Sequence, residues 1–253
     1  RELMTEGKKN QDKKILIITH QLSRTGAPIV LLDMIQVLWK QGYQIEVITM
    51  LDGELREELQ KMNIPLKVQE HFMDQTEAFW QYVEKFNMVI ANTLVTFEAI
   101  HLLKYRKVPV IWWLHEGRQY FEYFRTVLPD FGSLPSHIHV FSVGHYVQQI
   151  IRELYGVQTE ILHFGLEDKP SITKRRGEKV RFLTAGTYSK VKAQDVLVQA
   201  IRSLPAEYLD RAEFFFCGSE KMFDEEIFLP VEMLSKEYEN VTMLHQLSRE
   251  ETL

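Results

Sequence analysis

Cysteine is nearly absent: Cys217 is the single thiol in 253 residues. That excludes a disulfide framework and any zinc or iron–sulfur centre built on several cysteines, and it fits a reducing compartment. Glycine and proline are also scarce, at 12 and 8 residues, which excludes fibrous and low-complexity chains. No apolar run approaches the roughly 18 residues a membrane span requires. The start, RELMTEGKKNQDKK, lacks the apolar core of a secretion signal. An excess of positive charge is missing too: the net charge is −5, so the whole chain is no polycation for nucleic acid. No Asp-x-Asp pair occurs to hold a divalent metal, and no Gly-x-Gly-x-x-Gly follows the first strand. A Walker loop and a Gly-x-Ser-x-Gly are likewise absent. What remains is a globular balance of 45% hydrophobic and 26% charged residues, enough for one large domain or two modest ones.

Short apolar runs alternate with helix-period segments. KKILIITH (13–20), YQIEVITM (43–50), IPLKVQ (64–69), NMVIANT (87–93), VPVIWWLHE (108–116), HIHVFSV (137–143) and QTEILHFG (158–165) read as strands. Between them, APIVLLDMIQVLWKQG, DGELREELQKM, TEAFWQYVEKF, TFEAIHLLKYRK and GHYVQQIIRELYG read as helices. Strands alternating with helices predict an α/β fold with a parallel, doubly wound sheet. Cys217, Trp112, Trp113 and Phe214 to Phe216 read as core, and Trp39 and Trp80 as helix faces packed on the sheet.

Near residue 169 the texture changes. DKPSITKRRGEK is polar and basic without an apolar period, which marks a linker. A second series follows: VRFLTAG, AQDVLVQAIRSL, AEFFFCG, a helix after Asp224, and VTMLHQL. The expected division is a charged tail at 1–12, a Rossmann-like domain at 13–168, a linker at 169–179 and a partial second domain at 180–253. The second domain has only three strands, fewer than a doubly wound half usually carries. Two features of the ends suggest a fragment. The start carries no initiator methionine, and Ser248 and Glu251 form a capping box just before Leu253.

Ligands of open parallel sheets bind beyond the carboxyl ends of the strands, often at helix N-termini. Four turns meet that rule. The first runs from His20 to Gly26, where glycine permits close backbone approach; a plain strand–helix turn is the simpler alternative. The second is TAGTYSKVKAQD (184–195), in which Gly186, Lys190 and Lys192 precede a helix and are placed to hold a diphosphate. Seven Lys and Arg lie between 173 and 192 against Glu178 alone, while acidic residues prevail from 193 onward. A solvated linker accounts for Lys174, Arg175 and Arg176, but less well for Lys192. The third turn holds His115 and Glu116, candidate catalytic groups that could orient a hydroxyl or move a proton; a capping histidine fits equally well. The fourth, HFGLED, offers Gly165 and Glu167 as cleft residues, or as a solvated junction.

In this order the turns resemble the retaining nucleotide-sugar transferases of glycosyltransferase family 4, which have two Rossmann-like domains in the B-type arrangement. The likeness runs through most of residues 13–253. Thr25-Gly26-Ala27 matches the family's Gly-Gly-Ala with the first glycine lost. Val110 to His115-Glu116 matches its strand ending in His-Glu, and His163-Phe164-Gly165-Leu166-Glu167 is a looser match to its Asn-Gly-hydrophobic-Asp. Gly186 to Asp195 is similar to its Gly-Arg-Leu…Lys-Gly-x-Asp. Here Lys192 and Asp195 match, Thr187 stands for Arg, Ala193 stands for Gly, and Lys190 is the nearby cation that could take the arginine's place. Cys217-Gly218 resembles the glycine closing the family's next strand.

The resemblance implies transfer of a sugar from a nucleotide-diphosphate sugar to a glycan or lipid-linked acceptor, with no cofactor and no metal. Lys192, with Lys190, Gly186 and Gly26, would hold the donor diphosphate. His115 and Glu116 would act at the transferring sugar, with His20, Gly165 and Glu167 along the cleft. The Tyr- and Phe-rich loop 118–135 would meet the acceptor, or form a hydrophobic flap. A cytoplasmic protein follows, peripheral at most to a membrane and not bound to nucleic acid. The family's Pro-Ser…Glu loop and pair of glutamates would follow Leu253, so this stretch alone is expected to turn over little. Two alternatives stay open: a non-catalytic relative that binds a glycan or a partner enzyme, and a different nucleotide-binding α/β enzyme.

Overall fold

The structure, a computed structural model, describes residues 10–165, 177–218 and 223–244. Lys174, Arg175 and Arg176 of the expected linker, Glu167 of the junction and the Ser248–Glu251 capping box lie outside them. By its internal contacts the chain divides into two units, residues 1–168 and 169–253.

The first unit alternates strand and helix throughout: β1 (Lys14–Gln21), α1 (Gly26–Lys40), β2 (Gln44–Leu51), α2 (Arg56–Lys61), β3 (Leu66–Val68), α3 (Thr76–Val83) and β4 (Met88–Asn92). Then come α4 (Phe97–Leu103), β5 (Val110–Leu114), α5 (Arg118–Tyr123), β6 (Ile138–Ser142), α6 (His145–Tyr155) and β7 (Glu160–Ile161). All seven strands are parallel, in the order β3-β2-β1-β4-β5-β6-β7. The chain winds outward from β1 to β3, returns to β4 beside β1, and winds outward the other way. The reversal between β1 and β4 is the switch point at which such sheets open a crevice.

Both faces of the central strands are covered, which is why they read as unbroken apolar runs. Ile15 and Ile17 of β1 pack with Leu31, Leu32 and Ile35 of α1. Leu16 and Ile18 point the other way, toward Ile100 and Leu103 of α4 and Trp112 of β5. Burying four such side chains at about 1.5–3 kcal/mol each anchors β1 at the centre of the sheet. One expectation fails here. Trp39 stands 46% exposed, because Leu38, three residues on from Ile35, continues the helix stripe onto the sheet. The loop 118–135 sends some of its rings into the core: Phe121 and Phe131 are buried, Phe131 stacks on Trp112 at 5.3 Å, and Tyr120 and Tyr123 alone of its tyrosines and phenylalanines are well exposed.

The second unit holds β8 (Val180–Ala185), α7 (Gln194–Arg202), α8 (Ala206–Leu209), β9 (Ala212–Cys217), α9 (Glu225–Glu237) and β10 (Val241–Leu244). Among the described residues its sheet is three parallel strands, β10-β9-β8, an incomplete doubly wound half. Phe214, Phe216, Val198, Ile201, Val231 and Leu234 form its core, with Cys217 buried at the end of β9. β8 is an edge strand whose Val180, Phe182 and Leu183 stay exposed.

Candidate functional site

The switch point gathers three of the expected residues. His20 lies near the carboxyl end of β1, and His115 and Glu116 directly follow β5. A fourth, Thr93, follows β4 between them. Its Oγ1 lies 2.9 Å from Nδ1 of His20. Trp113 presents its indole to His115, with ring centroids 4.5 Å apart. Burial disfavours a charged imidazole, so the His20 pKa falls from 6.5 to about 4. His115 falls equally far, to about 4, first through burial and then through proximity to His20. Both rings are neutral at pH 7 and serve as hydrogen-bonding groups rather than cations. Nε2 of His115 is buried with no described partner.

Thr93 was not visible as a site residue in the sequence. Its backbone sits at φ 79 and ψ 159, a region that is essentially glycine's and costs other residues about 1–3 kcal/mol. The conformation is held from several sides. The Thr93 N–H donates to the Trp113 carbonyl at 2.8 Å. Its own carbonyl accepts from the Trp112 indole N–H at 2.9 Å and from the Thr96 hydroxyl at 2.8 Å.

Glu116, expected as a catalytic group beside His115, turns inward instead. One carboxylate oxygen accepts from the Leu94 N–H at 2.9 Å and the other from the His115 N–H at 2.9 Å. The side chain therefore ties the turn after β4 to the turn after β5. Burial raises its pKa from 4.5 to about 6, against the lowering effect of those backbone bonds. In this structure it fixes the loops that carry Thr93 and His115.

Gly26 opens α1, and the space a side chain would need there is empty. No acidic residue occupies the first turn, and Thr25 caps no N–H with its hydroxyl, so the helix N-terminus keeps free donors. Gly165 is exposed after β7, in open space, and takes no part in the histidine cluster. His163 faces His145 at 6.2 Å between ring centroids.

The second unit builds its turn differently. Gly186 adopts φ 150, an angle strained for any residue with a side chain, and the Lys192 stem lies 3.4–3.6 Å from where that side chain would begin. At Gly218 a side chain would meet the Gly186 carbonyl at 2.5 Å and the Tyr188 ring, so the family's glycine at this strand end is a steric necessity. Gln194, buried, donates to the Thr187 carbonyl at 3.1 Å and accepts from the Ser189 N–H at 3.4 Å. That pins the turn from its far side. Ala193 stands at φ 53 where glycine was expected, so the left-handed corner survives without its usual residue. Lys192 is exposed, with its stem on Gly186 and no described carboxylate in ion-pair range. Lys190 is engaged: its Nζ is 2.8 Å from Glu226 at the start of α9, and that pairing raises its pKa. Lys192 is therefore the cation of this turn without a described ion-pair partner. Among the described residues no cluster of three His, Cys, Asp or Glu could hold a metal, and no helix is long and apolar enough to cross a membrane.

These features have parallels in known proteins. HepE of Anabaena, solved with UDP and glucose, matches with a TM-score of 0.70 over 93% of this chain and 70% of its own, at 17% identity. A glycosyltransferase from Rickettsia africae matches at 0.64 over 94% and 69%, at 13% identity. WaaG, a glycosyltransferase involved in lipopolysaccharide biosynthesis, matches at 0.59 over 92% and 70%, at 12% identity. No curated protein matches. At such identities the likeness shows the fold, the two-Rossmann B-type arrangement of glycosyltransferases. The sequence model described as glycosyl-transferase family 4 matches residues 11–162, from β1 to the end of the first unit's sheet. With well over half of its length under that match, the chain belongs to glycosyltransferase family 4.

Proposed function

We propose that the protein belongs to a retaining transferase that moves a sugar from a nucleotide-diphosphate sugar to a glycan or lipid-linked acceptor. The observation that carries this reading is the turn 186–194. Gly186, packed against Gly218 of the next strand end, with the left-handed Ala193 and the buried Gln194, holds Lys192 without a described ion-pair partner beside a helix N-terminus, an arrangement suited to a diphosphate. The charge of Lys192 and the dipole of α7 would stabilise the departing nucleoside diphosphate. The complexes of HepE with UDP and glucose support a uridine nucleotide as the first donor to try.

In this reading the neutral imidazoles of His20 and His115 meet hydroxyl groups of the sugar or acceptor, and no metal or cofactor takes part. The exposed rings of Tyr120 and Tyr123 suit a lipid-linked acceptor approached from the cytoplasmic face of a membrane. A non-catalytic, glycan-binding relative is the second reading, supported by Thr187 in place of the family's arginine and by the Lys190–Glu226 pair. Incubating the chain with UDP-glucose and other UDP-sugars, with UDP and NAD as binding comparators, separates the readings. Calorimetric binding of UDP and at least one UDP-sugar, with none of NAD, is expected. No binding of any nucleotide would move the glycan-binding reading ahead.

A further inference from the structure

The hydrogen bonds that clamp Thr93 in its glycine-like conformation all use backbone atoms of Thr93: its N–H to Trp113, and its carbonyl to Trp112 and Thr96. Any residue at 93 could make them. The side chain has a different task. Among the described residues its one hydrogen-bond partner is Nδ1 of His20, 2.9 Å away. Thr93 is 1% exposed, so its hydroxyl hydrogen needs a protein acceptor, and Nδ1 is the acceptor in reach. A neutral imidazole that accepts at Nδ1 carries its hydrogen on Nε2. Nε2 of His20 has no described partner, and His20 is only half-buried at the carboxyl edge of β1. Glycine at 93 would hold the backbone without strain, but would leave Nδ1 unpaired.

We propose that Thr93 is a positioning residue whose hydroxyl, donated to Nδ1 of His20, fixes that ring with its Nε2–H offered at the β1–β4 switch point as the hydrogen-bond donor to a substrate hydroxyl. This rests on the reading above that the first unit's site receives sugar or acceptor hydroxyls. The ring's neutrality at pH 7 agrees with it, since a charged imidazole would carry a hydrogen on both nitrogens and could not accept from Thr93. Glu116 supports the same geometry by fixing Leu94, the next residue.

The test compares wild type with Thr93→Ser, which keeps the hydroxyl, Thr93→Val, which keeps the shape, and Thr93→Gly, which removes both hydroxyl and strain. The chain is labelled with ¹⁵N-histidine, and His20 is assigned through His20→Gln. Wild type and Thr93→Ser are expected to show a protonated Nε2 and a hydrogen-bonded, unprotonated Nδ1. In Thr93→Val and Thr93→Gly the Nδ1 signal is expected to move to the value of an unbonded nitrogen. Transfer measured with UDP-sugar is expected to drop about tenfold in kcat/KM for both, the size of one hydrogen bond, with Thr93→Ser restoring most of it. Thr93→Gly is expected to unfold at a higher temperature than wild type, so activity and stability part company, as a purely structural role would not allow. A proton on Nδ1 in wild type, or identical His20 signals in wild type and Thr93→Val, would overturn the proposal. No binding of any UDP-sugar by wild type would refute the reading of the site instead, while the imidazole signals still decide the role of Thr93.

Discussion

Besides Asn63, a residue type that tolerates the left-handed region, two described corners hold a side chain where the backbone suits glycine, and they hold it for different reasons. Thr93 in the first unit stands at φ 79 and Ala193 in the second at φ 53. Thr93 is buried, clamped by hydrogen bonds from β5 and its own turn, and linked to a desolvated imidazole. Ala193 is exposed, and its methyl group makes no polar contact. The surroundings differ in the same sense. The first unit's switch point is largely buried and presents neutral imidazoles with lowered pKa values. The second unit's turn is exposed and carries two exposed cations, Lys190 paired with Glu226 and Lys192 without a described partner. A strand-end turn can thus serve hydroxyls or phosphate, depending on whether burial or charge dominates.

The sharpest way to break the first corner is Glu116→Ala. It leaves the N–H groups of Leu94 and His115 buried and unpaired, at about 1–3 kcal/mol each. Chemical denaturation is expected to show a loss of about 2–4 kcal/mol in the first unit, well beyond any single change at the turn 186–194.

The next largest effect is on pH dependence. His20 and His115 have folded pKa values of about 4 against 6.5, so as pH falls below 6.5 the unfolded chain takes up protons first. Stability is lost progressively between pH 6.5 and 4. Glu116, raised to about 6, opposes this, because the folded state takes its proton between pH 6 and 4.5. Two large histidine shifts outweigh the smaller carboxylate shift, so the first unit is expected to weaken on acidification. Thermal unfolding of His20→Gln across that range should show a flatter profile; an unchanged slope would mean that His20 is not desolvated.

Smallest is Ala193→Gly, which relieves a left-handed corner but loosens the unfolded chain. A gain of up to about 1 kcal/mol in the second unit is expected by denaturation. A loss would mean that the corner is not strained.

Strands with both faces covered write themselves as continuous apolar runs, which is why β1, β4, β5 and β9 were legible from residue types alone. His20 and His115 were legible because carboxyl ends of parallel strands are where such sheets bind ligands. Thr93 was not, because its strain is imposed by Trp112 and Trp113, some twenty residues along the chain, and no local pattern records it. Nor could the sequence show that Glu116 bends back to the Leu94 N–H, or that Lys190 is held by Glu226. Trp39 misled because it sits at the last turn of α1, where the apolar stripe passes through Leu38.

The proposed contrast between a half-buried hydroxyl-binding site and an exposed diphosphate-binding turn is tested most directly by calorimetry of UDP binding to wild type, Lys192→Ala and His20→Ala. Loss of one charge-assisted contact is worth about 1.5–3 kcal/mol, or roughly ten- to hundredfold in affinity. Lys192→Ala is expected to weaken UDP by that factor, less so at high salt, while His20→Ala leaves it nearly unchanged. Equal affinity of wild type and Lys192→Ala, or a comparable loss in His20→Ala, would contradict the account.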